Sequence, residues 1–170
     1  MNLSEYIRDI PDFPREGILF RDITPLLSSP AAFNFAISKM SDLGKDLNPD
    51  VIVGIESRGF IFGIPIAVNL GLPFVPVRKK GKLPCQSLSA SYNLEYGEDT
   101  LEIHEDALSP GDSVLIVDDL IATGGTLGAC SELVGKLHAK VVGATVLIDL
   151  VGIRDKDRFS DININSLIRY

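Results

Sequence analysis

Tryptophan is absent from this chain, and cysteine, histidine and methionine occur only twice each. Cys85 and Cys130 stand far from one another and from His104 and His138, so no spaced set of soft ligands is available for a zinc or iron site. Both cysteines are expected to be free thiols, and neither Cys85 nor His104 is given a function. Basic residues are outnumbered, with 16 Lys and Arg against 23 Asp and Glu, which gives a formal net charge of −7 and a pI near 4.8. That balance argues against nucleic acid or anionic membrane as a partner, since either calls for a basic face. Any anionic ligand must be captured locally. No apolar run approaches the roughly 20 residues of a membrane span. Met1 to Tyr6 contains no basic segment leading into an apolar core, so the cytoplasm is the expected compartment.

What the chain does have is concentrated in Val114-Leu-Ile-Val-Asp-Asp-Leu-Ile-Ala-Thr-Gly-Gly-Thr126. Four consecutive apolar residues, three of them β-branched, suit a strand buried on both faces of a parallel sheet. Asp118 and Asp119 then fall where such a strand leaves the sheet, the edge at which open α/β sheets bind ligands, and adjacent carboxylates can accept from neighbouring sugar hydroxyls. In Ala122-Thr123-Gly124-Gly125-Thr126, glycines let the backbone turn tightly and aim N–H groups inward. The helix expected from there adds its positive end. A plain strand and glycine turn is the bland alternative. The better-known phosphate motifs do not fit: no Gly-Lys-Ser/Thr is present, and the glycines lack dinucleotide-fold spacing.

With 45% hydrophobic and 23% charged residues, the 170-residue chain reads as an ordinary globular domain, large enough to bury roughly 70% of its unfolded surface. Apolar strands alternate with helical segments, the pattern of a mostly parallel α/β sheet flanked by helices. Helix is expected over 31–47, strand over Val51 to Ile55, helix over Phe60 to Leu70 and strand over Leu72 to Val77. Helix over 125–139 and strand over Val141 to Leu150 follow, with His138 near the end of that helix, where a cation would favour the dipole. The alternation fails over 78–108. A basic run, Arg78-Lys-Lys-Gly-Lys82, leads there into a hairpin arm with Gly97-Glu-Asp as its turn, and long excursions of this kind usually serve as lids.

Two further segments carry chemistry. Gly54-Ile-Glu56-Ser57-Arg58-Gly59 joins a strand to a helix, but Ile55 occupies a position where a serine-hydrolase elbow needs glycine. Read as a loop of backbone donors with a guanidinium, it suits phosphate oxygens instead. Pro11 to Leu27 is too rich in proline and turn residues for a long helix, so Phe13 and Phe20 must be held by tertiary packing. Extended backbone beside an aromatic can read a flat heterocycle, although core filling is the usual fate of such a Phe.

The Asp118-Asp119 and Thr123 to Thr126 run resembles the 5-phosphoribosyl-1-pyrophosphate (PRPP) signature of type I phosphoribosyltransferases. Phe13-Pro, Gly17, Phe20-Arg-Asp-Ile-Thr-Pro25, Glu56-Ser-Arg-Gly59, Arg78-Lys with Gly-Lys-Leu-Pro84, and Leu94-Glu-Tyr-Gly97 extend the likeness to the adenine phosphoribosyltransferases of that family. The resemblance implies the type I fold, with residues 1–30 as a base-recognition hood, 78–108 as a flexible lid arm and 1–170 as a single domain. It implies transfer of ribose 5-phosphate from PRPP to N9 of adenine, yielding AMP and pyrophosphate, in a homodimer that requires Mg²⁺ held mainly through PRPP and water rather than by protein ligands. Asp118 and Asp119 would hold the ribose hydroxyls, and Ala122, Thr123, Gly124, Gly125 and Thr126 the 5′-phosphate. Glu56, Ser57, Arg58, Gly59, Arg78 and Lys79 would serve the pyrophosphate, with a cis peptide between Glu56 and Ser57. Leu19 and Arg21 would present backbone to the adenine edge while Phe20 and Ile121 sandwich its faces. Glu95 would act beside N7 and Tyr96 belong to the lid, with Arg58 as the second catalytic group. The alternatives are transfer to hypoxanthine, guanine or xanthine, or a PRPP-binding regulator without catalysis. A regulator would need a nucleic-acid-binding domain or basic face, for which this chain has neither room nor charge.

Overall fold

The computed structural model describes residues 1–93, 98–155, 159 and 161–170. Its main sheet is built from β3 (Val51–Ile55), β4 (Phe74–Lys79), β5 (Ser87–Asn93), β6 (Glu98–His104), β7 (Ser113–Ile121), β8 (Lys140–Asp149) and β9 (Ile164–Arg169). The spatial order is β5-β6-β4-β3-β7-β8-β9. From β4 to β9 every pairing is parallel, whereas the arm formed by β5 and β6 adds antiparallel strands beyond β4. A separate two-stranded ribbon, β1 (Arg8–Ile10) with β2 (Phe20–Asp22), precedes it.

Burial explains the central strands. Every residue of β3 is buried, as are Val114 to Val117 of β7 and seven consecutive residues of β8, because helices cover both faces. On one face lie α2 (Pro30–Lys45) and α3 (Arg58–Leu70), which bury Met40, Phe62 and Ile66 against Ile52, Leu115 and Leu147. On the other lies α4 (Gly125–Lys136), whose Leu133 and Val134 pack on Val53, Ile116 and the arm residues Leu101 and Ile103. Ser29 caps α2 by accepting from the Ala32 N–H at 3.4 Å, with Pro30 at the first helical position. A short helix α1 (Thr24–Leu27) ties the N-terminal ribbon to this core through Ile23 and Leu26, which are buried.

Several expectations need adjustment. β9 has no counterpart in the sequence pattern, since Asn165 and Ser166 interrupt its apolar residues and only Ile168 is fully buried. Glu98 and Asp99 are strand rather than turn, paired with Asn93 and Tyr92, because the antiparallel register extends to the first residue of β6. The helix after the signature stops at Lys136, and His138 lies beyond it with φ 59°, so it does not sit in the last helical turn. Phe13 is half exposed, and its ring meets Phe20 edge-on at 5.2 Å between ring centroids.

Candidate active site

Because β3 and β7 pair in parallel with Gly54 opposite Val117, the loops that leave their C-terminal ends emerge side by side. Between them lies a cavity of about 470 Å³. The β7 side supplies Asp118, Asp119, Ile121 and the run from Ala122 to Thr126, and the β3 side supplies Glu56, Ser57 and Arg58. Lys79 from the end of β4 and Tyr92 from the arm complete the wall. Of the expected site residues, Gly59, Arg78, Leu19, Phe20 and Arg21 do not line this cavity, and Glu95 and Tyr96 fall outside the described residues.

Two glycines set how closely α4 and α3 approach the cavity. Gly124 precedes α4 with φ 91°, and a Cβ there would stand 2.2 Å from the ring of Phe159, so only glycine fits. Gly59, at the start of α3, lets that helix approach β7 so closely that a Cβ would lie 2.7 Å from the Val117 carbonyl and 3.0 Å from Asp118 Oδ1. Both helix N-termini therefore face the cavity at short range, where their free N–H groups favour anions. The Glu56–Ser57 peptide is cis, as the resemblance implied, and so is Phe13–Pro14.

The acidic pair lies in surroundings that disfavour its charge. Asp119 is buried, and its backbone N–H donates to Asp118 Oδ1 at 2.9 Å. Burial pushes both carboxyls above the ordinary carboxylate range; the Asp119 charge adds to the effect on Asp118, while the Arg58 guanidinium tempers it on Asp119. Arg58 Nε stands 3.0 Å from Asp119 Oδ2 in an ionic contact that is not aligned as a hydrogen bond, so this buried oxygen has acceptor capacity to spare. A ligand hydroxyl would satisfy it. The Arg58 guanidinium also lies 5.5 Å from the centre of the Phe20 ring, which brings the N-terminal ribbon to the rim of the cavity.

Glu56 organises the opposite side. Its carboxylate accepts from Arg78 Nε at 3.2 Å, Arg78 Nη2 at 3.3 Å and the Lys79 N–H at 2.8 Å. Burial opposes its charge, but the Lys79 N–H and the Arg78 guanidinium outweigh that cost and hold it below the usual range. Arg78 is thus engaged with Glu56 and the Lys82 carbonyl, outside the cavity lining, and Glu56 fixes where the arm begins. Lys79 Nζ pairs with Asp99 Oδ2 at 3.1 Å, and the Tyr92 hydroxyl donates to the same oxygen at 3.3 Å.

Four residues around the cavity were not singled out from the sequence. Tyr92 and Asp99 meet because they are register partners across the arm, Ile153 enters the wall from the segment after β8, and Phe159 supports Gly124. The alternation of Leu88 to Tyr92 is the one signal that could have drawn attention to Tyr92. Cys130 is buried, and burial pushes its thiol up, which removes it as a nucleophile. Cys85 is exposed, and His104 Nε2 lies 2.7 Å from the Pro84 carbonyl, away from the cavity lining.

Residues 23–168 match the model of the phosphoribosyl transferase domain. The chain is 52% identical over 169 residues to an adenine phosphoribosyltransferase of Halothermothrix orenii, covering 99% of each. It superposes with a TM-score of 0.95 on the crystal structure of the adenine phosphoribosyltransferase of Thermoanaerobacter pseudethanolicus, at 46% identity, covering 99% of this chain and 100% of that one. The Saccharomyces cerevisiae adenine phosphoribosyltransferase, crystallised with adenine and an imino-altritol bisphosphate, matches at 39% identity and a TM-score of 0.86, over 98% of this chain and 95% of that one. With two helix N-termini and an acid pair facing one cavity, and with identity near one half over the full length of its relatives, this chain belongs to the adenine phosphoribosyltransferase family.

Proposed function

We propose that the protein transfers the 5-phosphoribosyl group of PRPP to N9 of adenine, releasing pyrophosphate and forming AMP for purine salvage. The observation that carries this reading is the cavity, in which a hydroxyl-accepting acid pair lies between two cationic or N–H-rich phosphate sites, the arrangement a phosphorylated ribose with a pyrophosphate at C1′ requires. Thr123 to Thr126 and the N-terminus of α4 take the 5′-phosphate, with Ala122 leading into the turn. Asp118 and Asp119 accept from the 2′- and 3′-hydroxyls. Ser57, Arg58, Lys79 and the N-terminus of α3 face the pyrophosphate, while Glu56, Arg78 and Gly59 set their positions.

The reaction breaks the bond from C1′ to the pyrophosphate oxygen and forms the bond from C1′ to N9. Its ribose becomes oxocarbenium-like in the transition state, so negative charge gathers on the leaving group, and Arg58, Lys79 and the loop N–H groups are preorganised to stabilise it. Holding the sugar by both hydroxyls and its phosphate keeps C1′ in line with N9, and small misplacements there slow the step sharply. The arm β5–β6, to which Tyr96 belongs in sequence, excludes water that would otherwise hydrolyse the sugar. Leu19 and Arg21 backbone groups read the adenine edge, and Phe20 and Ile121 cover its faces. The position of Phe20 at the rim beside Arg58, with Ile121 in the wall, supports this slot. Glu95 exchanges a proton at N7 as N9 becomes bonded.

Among the described residues no group of three or more His, Cys, Asp or Glu is placed to hold a metal. The carboxylates that line the cavity, Glu56, Asp118 and Asp119, are hard oxygen donors that would suit a hard cation beside oxygens of PRPP and water. When bound, Mg²⁺ supplies charge neutralisation on the pyrophosphate. We read the protein as a cytoplasmic homodimer; Ile64 and Val68 of α3, 49% and 75% exposed, support an apolar contact between copies. Pyrophosphate release measured with PRPP, Mg²⁺ and adenine tests the reading, with AMP identified as co-product. Turnover that stops on chelation is expected. Absence of AMP would overturn the assignment.

A further inference from the structure

The base slot is formed by two segments that share no strand pairing. Ile121 lies at the end of β7 in the main sheet, while Phe20 belongs to the separate ribbon β1–β2. Two short strands are marginal by themselves, so the ribbon takes its position from outside contacts. One end is anchored where Asp22 accepts from Arg8 at 2.5 and 2.9 Å and from Thr24, ahead of buried Ile23. The other end rests on Phe13, which is half exposed and anchors little.

Between these ends stands Arg21. Its side chain is only 14% exposed, does not line the cavity, and forms an ion pair with Asp9, its register partner on β1. The guanidinium carbon lies 3.7 Å from the centre of the Tyr170 ring. Tyr170 is in turn fixed to the main sheet: its N–H donates to the Asp149 carbonyl at 3.0 Å, and its carbonyl accepts from the Val151 N–H at 2.9 Å. Asp149 is the register partner of Ile121, and the Leu150 N–H donates to the Ile121 carbonyl at 2.9 Å. A continuous path of short contacts therefore runs from Ile121 through Asp149, Tyr170 and Arg21 to the backbone beside Phe20.

We infer that Tyr170 is a positioning residue for the nucleobase, which sets the separation of Phe20 from Ile121 and the aim of the Leu19 and Arg21 backbone by stacking on the Arg21 guanidinium. The inference rests on the reading of Leu19 to Arg21 and Ile121 as the adenine slot. It assigns the Arg21 side chain to the brace and only its backbone to the base. Ile121 and the PRPP loop that follows it are held by the main sheet whether or not the ribbon is braced, so loss of the brace displaces the ribbon and weighs chiefly on adenine.

The test compares Tyr170→Ala, Tyr170→Phe and Arg21→Lys by steady-state kinetics and by amide hydrogen exchange over Phe20 to Asp22. A cation–π contact of this kind is worth enough for Tyr170→Ala to raise KM for adenine about three- to tenfold, with KM for PRPP near the starting value. Tyr170→Phe keeps the ring and restores adenine KM. Arg21→Lys keeps a charge for Asp9 but loses the planar face, and it reproduces the adenine defect even where Tyr170→Ala fails to fold. An unchanged adenine KM in the Ala and Lys variants overturns the inference, as does a parallel rise in both KM values or a Phe variant as impaired as Ala. Exchange keeps the brace separate from the catalytic reading. If the unsubstituted protein turned over no adenine, faster exchange at Phe20 to Asp22 in Tyr170→Ala would still support the brace, and unchanged exchange would overturn it.

Discussion

Gly59→Ala puts the closeness of α3 to β7 to a direct test. The added Cβ would lie 2.7 Å from the Val117 carbonyl, 3.0 Å from Asp118 Oδ1 and 3.3 Å from Asp118 Cα, all inside the 3.4 Å at which ordinary contact begins. Two of those atoms are backbone of a central strand and cannot swing aside. The helix must retreat, carrying Arg58 with it, and Asp118 must shift. Overpacking of this kind costs about 1–3 kcal/mol. For a domain of this size the midpoint of thermal unfolding should fall by roughly 2–4 °C for each of those kcal/mol. Activity should suffer more than stability, because a displacement approaching ~1 Å at a positioning group costs up to about 10²-fold. We expect kcat/KM for PRPP to drop by about 10- to 100-fold. Gly135→Ala is the control: a Cβ there meets nothing within 4 Å in the last turn of α4, so the exchange should stabilise by at most about 0.5–1 kcal/mol and leave turnover unchanged. If Gly59→Ala unfolded at the original temperature with full kcat/KM, the close approach would not be what sets the site.

Three further outcomes are expected. Gly125→Val should abolish PRPP binding while the sheet stays folded, and unchanged affinity by calorimetry would remove the loop from the 5′-phosphate. Glu95→Gln should lower turnover by about 10²-fold or more with PRPP affinity retained, whereas Glu98→Gln should do little; full turnover in both variants would make Glu95 an ordinary surface carboxylate. Because burial raises the folded-state values of Asp118 and Asp119 above those of the unfolded chain, their ionisation destabilises the unliganded fold as pH rises from the unfolded value through the folded ones. The same carboxylates must be ionised to accept from ribose, so PRPP affinity should fall as pH drops through the folded values. Asp118→Asn should flatten both trends, and identical pH profiles for the two proteins would contradict this assignment.

The sheet and the loops that line the cavity were legible because their causes are local. A buried β-branched run, two acids and a glycine turn lie consecutively in β7 and its loop, and β3 with Glu56 to Gly59 repeats that logic. Residues that depend on pairing between distant segments were not legible. Asp99 looks like a turn acid until the register sets it opposite Tyr92 and beside Lys79. Phe159 and Ile153 reach the loop from the segment after β8, with no periodicity to mark them. The ribbon β1–β2 is two triplets of mixed polarity, which only ion pairs such as Arg8 with Asp22 define. Arg78 is a related case: the resemblance assigns it to the pyrophosphate, and its pairing with Glu56 appears only once β3 and β4 lie side by side.

The most direct test of the account is a comparison of kcat/KM for adenine, hypoxanthine, guanine and xanthine with PRPP and Mg²⁺ held saturating. A backbone carbonyl facing the exocyclic position accepts from a 6-amino group and opposes a 6-oxo group, and leaving such buried groups unpaired is worth rejection of about 10⁴-fold. The account predicts that adenine is preferred by orders of magnitude over all three. Equal turnover of hypoxanthine and adenine would contradict it.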